Sequence, residues 1–328
     1  MKWIRAQWDA IDRAIFGFGS PVTLSAFRII VGFLSFINFL MLSVDLQTWF
    51  GERGLYPTWM AERFAGEFPR FTLLGEVTDF RVVVVLYVLT LVASLMVMFG
   101  LWTRASTIAL FVLAVSFHHR NPDVLHSGDW LLRAWMFIIM LGPSGAALSL
   151  DRIIGLRRGT VQIDLPTVSL WPQRLVQIQL ALVYFMTVWL KWGGSFWRDG
   201  TATYYPAQLR EFDRFPVPDF LNQPPFTMVT TYGTLFVELA LATLLCAKPL
   251  RKFVLIAGLC LHGYIEYSMN IPLFQWVIVA AFICHYESEE LQAWWSRMTT
   301  KFPILKSVFR TPEPKEASEH TGSPVHAE

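Results

Sequence analysis

The chain has 328 residues, 54% of them hydrophobic and 16% charged, and a formal net charge of +2. Polar residues do not alternate with apolar ones; they collect between long apolar blocks, as in a polytopic helical membrane protein whose spans satisfy their own backbone in lipid. The basic residues sit at block ends and give no footprint for nucleic acid. The three cysteines, Cys246, Cys260 and Cys284, lie inside apolar runs and imply no disulfide framework.

In chain order, the charged, Trp-bearing stretch from Lys2 to Arg13 precedes an apolar run too long for a cleaved leader and lacking a small-residue cleavage site. That run reads as a retained first span over about residues 22–44, with Pro21 suited to its first turn. Further spans are expected near 81–101 and 102–117, joined by a tight turn at Thr103-Arg104, and near 130–150, where Gly142-Pro143 should kink or break the helix. Four more fall near 175–191, 228–247, 253–269 and 271–285, the last two forming an antiparallel pair around Asn270 and Pro272. The fold expected is therefore all-α, a transmembrane helical bundle of about eight spans occupying residues 1–290. Residues 291–310 read as an interfacial amphipathic helix and residues 311–328, rich in Pro, Glu and Ser, as a disordered cytoplasmic tail.

Lysine and arginine set the orientation. With the N-terminus in the cytoplasm, that side collects Arg5, Arg13, Arg104, Arg152, Arg157, Arg158, Arg174, Lys248, Arg251 and Lys252. The bias gives an N-in, C-in topology in the cell (inner) membrane, with the arginine-bearing loop 45–80 its weak point. Four polar, glycine- and aromatic-rich segments then emerge outside: 51–57, 118–129, 191–225 and 266–272. A site opening to the extracytoplasmic side follows.

Several residues are candidates for that site, each with an ordinary structural alternative. Lys191, at the end of an apolar run, either snorkels to water or carries chemistry. Glu238 sits about ten residues into its span, so it should be protonated, paired with a base from another helix, or exposed in a cavity. Arg28 is the obvious kind of partner. Asp129 and Arg133, one turn apart, read first as a salt bridge and second as cavity polarity. His118, His119, His126 and Asp129 are of metal-ligand type, but their spacing fits no ligand motif, and no metal is expected. Trp189, Trp192, Phe196 and Trp197 read as an interfacial belt before a substrate box.

The chain resembles the HTTM (horizontally transferred transmembrane) family, bacterial relatives of the membrane domain of vitamin K-dependent gamma-glutamyl carboxylase. The resemblance rests on four places spread over about residues 20–290. They are Gly51 to Pro57; His119-Arg120-Asn121-Pro122 with Ser127-Gly128-Asp129 and Ser149-Leu150-Asp151; Tyr184-Phe185 ahead of Lys191, with Trp197 and Gly200 after it; and His262 followed by Phe274. It implies a reduced, vitamin K-like quinone as cofactor, with Lys191 as catalytic base and His262 as its pocket partner. Tyr184, His119, Asp129, Arg133, Glu238 and Trp197 would line the cavity. A lysine in a low-dielectric setting suits the role of base. The chain departs from the carboxylases in carrying Asp129 where they have a histidine near the start of the fourth span. A large lumenal domain like theirs is not expected after the last span, so an extracytoplasmic protein or peptide partner would replace it beside the membrane lipids. The function expected is a multi-pass membrane protein whose extracytoplasmic-facing cavity binds a quinone or other lipid with Lys191 as a base; whether it is an enzyme of quinol-dependent carboxylase or epoxidase type stays open at this point. The alternative is a non-enzymatic lipid- or peptide-binding accessory of export or immunity type. A transporter is the weakest class, since few charges line the spans and no repeat is visible.

Overall fold

A computed structural model describes residues 2–63 and 70–301 of the chain. The chain divides into two compact units, Met1–Leu291 and Gln292–Glu328, and the features below belong to the first, save the part of the last helix beyond Leu291. Its helices are α1 (Lys2–Phe16), α2 (Val22–Leu42), α3 (Leu46–Phe50), α4 (Thr58–Arg63), α5 (Phe80–Phe99), α6 (Thr103–Arg120), α7 (Ser127–Leu141) and α8 (Leu150–Arg158). They continue as α9 (Trp171–Gly193), α10 (Ser195–Arg198), α11 (Pro224–Thr243), α12 (Lys248–Ser268) and α13 (Phe274–Ala280), the last prolonged by a 3-10 turn Ala281–His285. A final helix, α14 (Ser288–Lys301), overlaps the surface helix expected at 291–310; the rest of that segment and the tail 311–328 lie outside the described residues.

Helices occupy all eight segments expected to span. By length and apolar composition, four of them suffice to cross a membrane: α2, α5, α9 and α11. The others fall short for identifiable reasons. α6 ends in His118-His119-Arg120, and α12 carries Lys248, Arg251, Lys252, His262 and Glu266. α7 stops at Leu141, because Gly142-Pro143 ends the helix outright, and the chain resumes as α8 only at Leu150. The turn before α6 falls at Gly100 to Trp102 rather than at Thr103-Arg104, since Gly100 takes the left-handed conformation (φ +68°) that closes α5.

Side chains give the bundle two distinct ends. Gly142 packs against Leu24 and Pro172, the Gln173 amide donates to the Cys284 carbonyl at 2.8 Å, and Arg251 donates to the His285 carbonyl at 2.8 Å. The start of α2, the end of α7, and the starts of α9 and α12 therefore share one end. A two-residue clip, β1 (Phe18–Gly19) antiparallel to β2 (Val168–Ser169), closes the same end. At the opposite end Asn38 meets Asp129, and the tip of α9 meets α11 and α12.

α2 and α5 approach so closely that a Cβ on Gly32 would stand 2.5 Å from the Met98 backbone nitrogen. Packing of this kind, backbone on backbone at a glycine, replaces the hydrophobic drive that lipid cannot supply. The outward faces stay apolar: Val85, Leu89, Leu182, Phe185, Val229, Phe236, Phe253 and Ile256 are all exposed. A water-soluble domain does not present such continuous apolar helix faces.

The sequence reading passed over α1. Trp3, Trp8, Ile11 and Ile15 fall on one arc of this helix and Arg5, Asp9, Asp12 and Arg13 on the other. Its Trp3 and Trp8 are exposed.

Candidate functional site

α9 brings two polar residues to one face. Val176, Leu180 and Tyr184 form its buried stripe, and Lys191 continues that stripe two turns beyond Tyr184. Placed in the last turn, the ammonium also complements the helix C-terminus. α11 answers with a buried arc of Thr227, Thr231, Thr234 and Glu238, and α12 with a stripe that ends in His262. These helices can come this close because Gly258 of α12 has no side chain; a Cβ there would lie 2.9 Å from Leu241.

At their meeting point the Lys191 ammonium donates to the Glu238 carboxylate in a direct ion pair. The Lys191 side chain is 25% exposed and that of Glu238 8%, so the cation sits at the rim of the centre and the carboxylate inside it. The same ammonium lies 4.8 Å from the Trp197 ring centroid, a cation–π contact. Beside the pair, Tyr184 and the Nε2 atom of His262 are 2.7 Å apart, and His262 Nδ1 lies 2.5 Å from the Gln275 carbonyl oxygen. With Gln275 accepting, Nδ1 carries the imidazole proton and Nε2 accepts from the tyrosine hydroxyl. Tyr184, His262 and Gln275 are all buried. The two pairs are joined through α9, which carries both Lys191 and Tyr184. Among the described residues two atoms in this centre have no partner: Glu238 Oε2, an acceptor, and Gln275 Nε2, a donor.

Five of the predicted site residues thus converge: Lys191, His262, Glu238, Tyr184 and Trp197. The sequence reading missed Gln275, although it follows directly on Phe274; a lone glutamine in an apolar run was the available signal. The partner of Glu238 is Lys191 and not Arg28. Arg28 is fully buried near the other end, where it donates to the Leu148 carbonyl at 2.5 Å and lies against Gly100.

The other three predicted residues lie apart from the Lys191 centre, Asp129 and Arg133 in the first turns of α7 and His119 in the last turn of α6. Asp129 Oδ1 accepts from the Asn38 amide at 2.8 Å and Oδ2 from the His126 backbone N–H at 2.9 Å, completing a capping box. Both oxygens are thereby engaged, and the salt bridge expected between Asp129 and Arg133 does not form. Arg133 instead lies over the Trp130 ring, 4.3 Å from its centroid. His119 Nδ1 accepts from the Phe71 N–H at 3.0 Å, and His126 Nδ1 from the Gly128 N–H at 2.9 Å. Among the described residues no three His, Cys, Asp or Glu side chains gather as a metal-holding group. No hydrogen bond or ion pair among them joins this set to the Lys191 centre; the link is packing, with Gly128 against the Phe274 backbone.

Two cavities lie away from Lys191. One of about 440 Å³, lined by residues such as Thr103, Arg104, Gly142 and Asp151, is at the opposite end of the bundle. The other, about 250 Å³, is lined by Tyr56, Met60, Arg70, Pro122 and Asp123. Near it two of the sequence motifs meet: Arg120 donates to the Tyr56 carbonyl at 2.8 Å and Asn121 to the Trp49 carbonyl at 2.9 Å.

Apolar helix faces around a buried polar centre define a helical membrane protein. Residues 19–289 match the HTTM domain, and the chain belongs to the HTTM-domain family. It is similar to the uncharacterized protein YitO of Bacillus subtilis (strain 168), with 29% identity over 117 residues, which make up 34% of this chain. The chain spans only 38% of the length of that relative. No solved structure matches it.

Proposed function

We propose that this HTTM-family protein is a multi-pass protein of the inner membrane whose Lys191 centre receives the polar head of a membrane-soluble molecule, a reduced quinone or another lipid. The eight helices, read as eight spans with the arginine- and lysine-rich end in the cytoplasm, put both termini inside and the Lys191 end outside. The observation that carries the reading is the convergence of Lys191, Glu238, Tyr184, His262 and Gln275 from four helices whose outer faces are apolar. Buried polar groups are costly among membrane helices and mark functional centres there.

The residues fit a quinol head. The unpartnered Glu238 Oε2 accepts a hydroxyl and the unpartnered Gln275 Nε2 donates to an oxygen, while Trp197 offers an aromatic face. A reduced quinone, when bound, supplies electrons for reaction with oxygen. The chain's part would be to orient the head group through Glu238 and Gln275 and, once the Lys191 ammonium has given up a proton, to take the hydroxyl proton on the free amine. Tyr184 and His262 hold that lysine's surroundings fixed. The resemblance to the carboxylase membrane domain supports such an enzyme, with a protein or peptide partner on the extracytoplasmic side.

One observation favours the non-enzymatic alternative, a lipid- or peptide-binding accessory: Lys191 already has a carboxylate partner, as a structural cation would. Purification in nanodiscs followed by lipid mass spectrometry separates the cases. A quinone or distinct lipid retained by the unmodified protein and lost from Lys191→Ala and Glu238→Gln supports the head-group site. Nothing beyond bulk lipid, with all three proteins equally stable, refutes it.

A further inference from the structure

A lysine paired with a glutamate is an ammonium, and it becomes a base only after its proton has gone elsewhere. The nearest acceptor is Glu238 itself. That transfer breaks one Lys191 N–H bond and forms one Glu238 O–H bond, leaving an amine and a carboxylic acid with no change in net charge. The proton then stands on the inner member of the pair, and α11 carries hydroxyl groups that lead away from it.

Thr227, Thr231, Thr234 and Glu238 recur at intervals of four, three and four residues, which keeps them within about 60° of helix arc. All four are buried, and no other residue between 227 and 238 shares the arc. Glu238 is fourteen residues into the helix, about 21 Å from its first residue. The first turns of α11 are covered by the loop that follows Lys191. There Thr203 Oγ1 lies 2.8 Å from Thr230 Oγ1 and 3.0 Å from Thr231 Oγ1, and the Thr203 N–H donates to Thr231 Oγ1 at 3.3 Å. Thr203 is half-buried, and its neighbours Tyr204 and Tyr205 are exposed. Thr231 Oγ1 is thus engaged by the loop, whereas Thr234 donates to the Thr230 carbonyl at 2.8 Å and, among the described residues, its oxygen accepts from no donor. Beyond Thr234 stands Glu238, with Oε2 unpartnered and its side chain 8% exposed.

We infer that the threonine stripe is a proton route, and that Glu238 is the group through which the Lys191 centre exchanges protons with the Thr203 side of the protein. On this route each hydroxyl accepts one proton and releases its own, which for Thr234 means turning its hydrogen away from the Thr230 carbonyl, and a water is required at each one-turn step between Thr231, Thr234 and Glu238. Of the ionisable groups on the neighbouring helices, Lys191 of α9 pairs with Glu238 directly, and Tyr184 of α9 and His262 of α12 bond to each other at 2.7 Å. Among the described residues, the hydrogen bonds from the loop turns Ala202–Tyr204 and Asp219–Asn222 to α11 fall at Thr227 to Thr231. The inference rests on the reading of Lys191 as base for its consequence, but the exchange itself requires no ligand.

The test follows the carboxylic-acid stretch of Glu238 by infrared spectroscopy of the full chain in nanodiscs, the band being assigned by its loss in Glu238→Gln. Its rate of hydrogen–deuterium exchange is measured across pH. Thr231→Val and Thr234→Val should slow exchange by about tenfold or more. Thr231→Ser and Thr234→Ser, which keep the hydroxyl, should restore it. Thr243→Val, on the exposed last turn of α11, should leave it unchanged. Equal rates in the valine variants, or no Glu238 band at any pH, overturn the route. Lipid retention measured on the same preparations reports on the head-group site separately, because the threonine variants leave Lys191, Glu238 and Gln275 intact.

Discussion

The Lys191–Glu238 pair can be weighed by a double-mutant cycle. At the effective permittivity that describes charges near a protein surface, two unit charges about 4 Å apart attract by about 4 kcal/mol. Removing one partner of a buried pair costs about 3–5 kcal/mol, chiefly because the survivor stays buried without compensation. The two survivors differ here. After Glu238→Leu, the remaining lysine is a quarter exposed and keeps its contact with Trp197, so the loss should be near 2 kcal/mol, about the scale of a partly hydrated cation. After Lys191→Met, the remaining carboxylate has little access to water, and the loss should reach about 4 kcal/mol. In Lys191→Met/Glu238→Leu neither charge is left, so the combined loss should fall below the sum by about 2–3 kcal/mol. Reversible unfolding by SDS titration in mixed micelles, read by far-UV circular dichroism, measures all four proteins. Losses that add to within about 0.5 kcal/mol would refute the reasoning, for they would mean that the two charges do not interact in the folded protein.

Three further outcomes follow from the geometry. Tyr184→Phe leaves the buried Nε2 of His262 without its donor and should cost about 1–3 kcal/mol in the same assay, while Tyr184→Phe/His262→Leu should cost less than the two single changes summed. Gly100→Ala should cost at least about 2–3 kcal/mol, because the residue is left-handed and an added Cβ would fall 1.8 Å from Arg28 Nη1 and 2.5 Å from Ser149 Cβ. A hydrogen bond from Lys248, aided by that ammonium's charge, holds the Glu287 carboxyl below the usual carboxylate range. A lowered folded-state value gives stability that is present above the unfolded carboxylate range and is lost as pH falls through the folded one. Lys248→Gln should therefore flatten the acid limb of a melting-temperature profile, by well under about 1 kcal/mol because both side chains are largely exposed.

What the sequence made legible divides along physical lines. Positions of helices were readable because apolar runs of span length have few alternative fates, and all eight runs are helical. Their limits were less so. The stop at Gly142-Pro143 was visible as a break, yet not that α8 would start separately with Ser149 as its cap, accepting from the Arg152 N–H at 3.1 Å. α1 escaped because an amphipathic helix with little apolar length does not register in a reading tuned to spans.

Long-range pairing is the harder part, and Glu238 shows why. A charged residue deep in an apolar run must have a partner, so its need was legible while its partner was not. Arg28 looked suitable by depth, since each lies several residues inside a span. Depth along a helix becomes depth in the bundle only when the register between helices is known, and that register is set by the connection between α9 and α11. Thirty residues from Gly194 to Gln223 make this connection, folded as short turns upon the first part of α11. The helix start is thereby carried past the end of α9, and Glu238 is lowered to the tip of α9. A lysine at the end of one span and a glutamate well inside another consequently stand at the same level. The threonines that precede Glu238 owe their burial to that same loop: without the stagger, Thr227 and Thr231 would have no loop to cover them, and Glu238 would sit beyond the reach of Lys191.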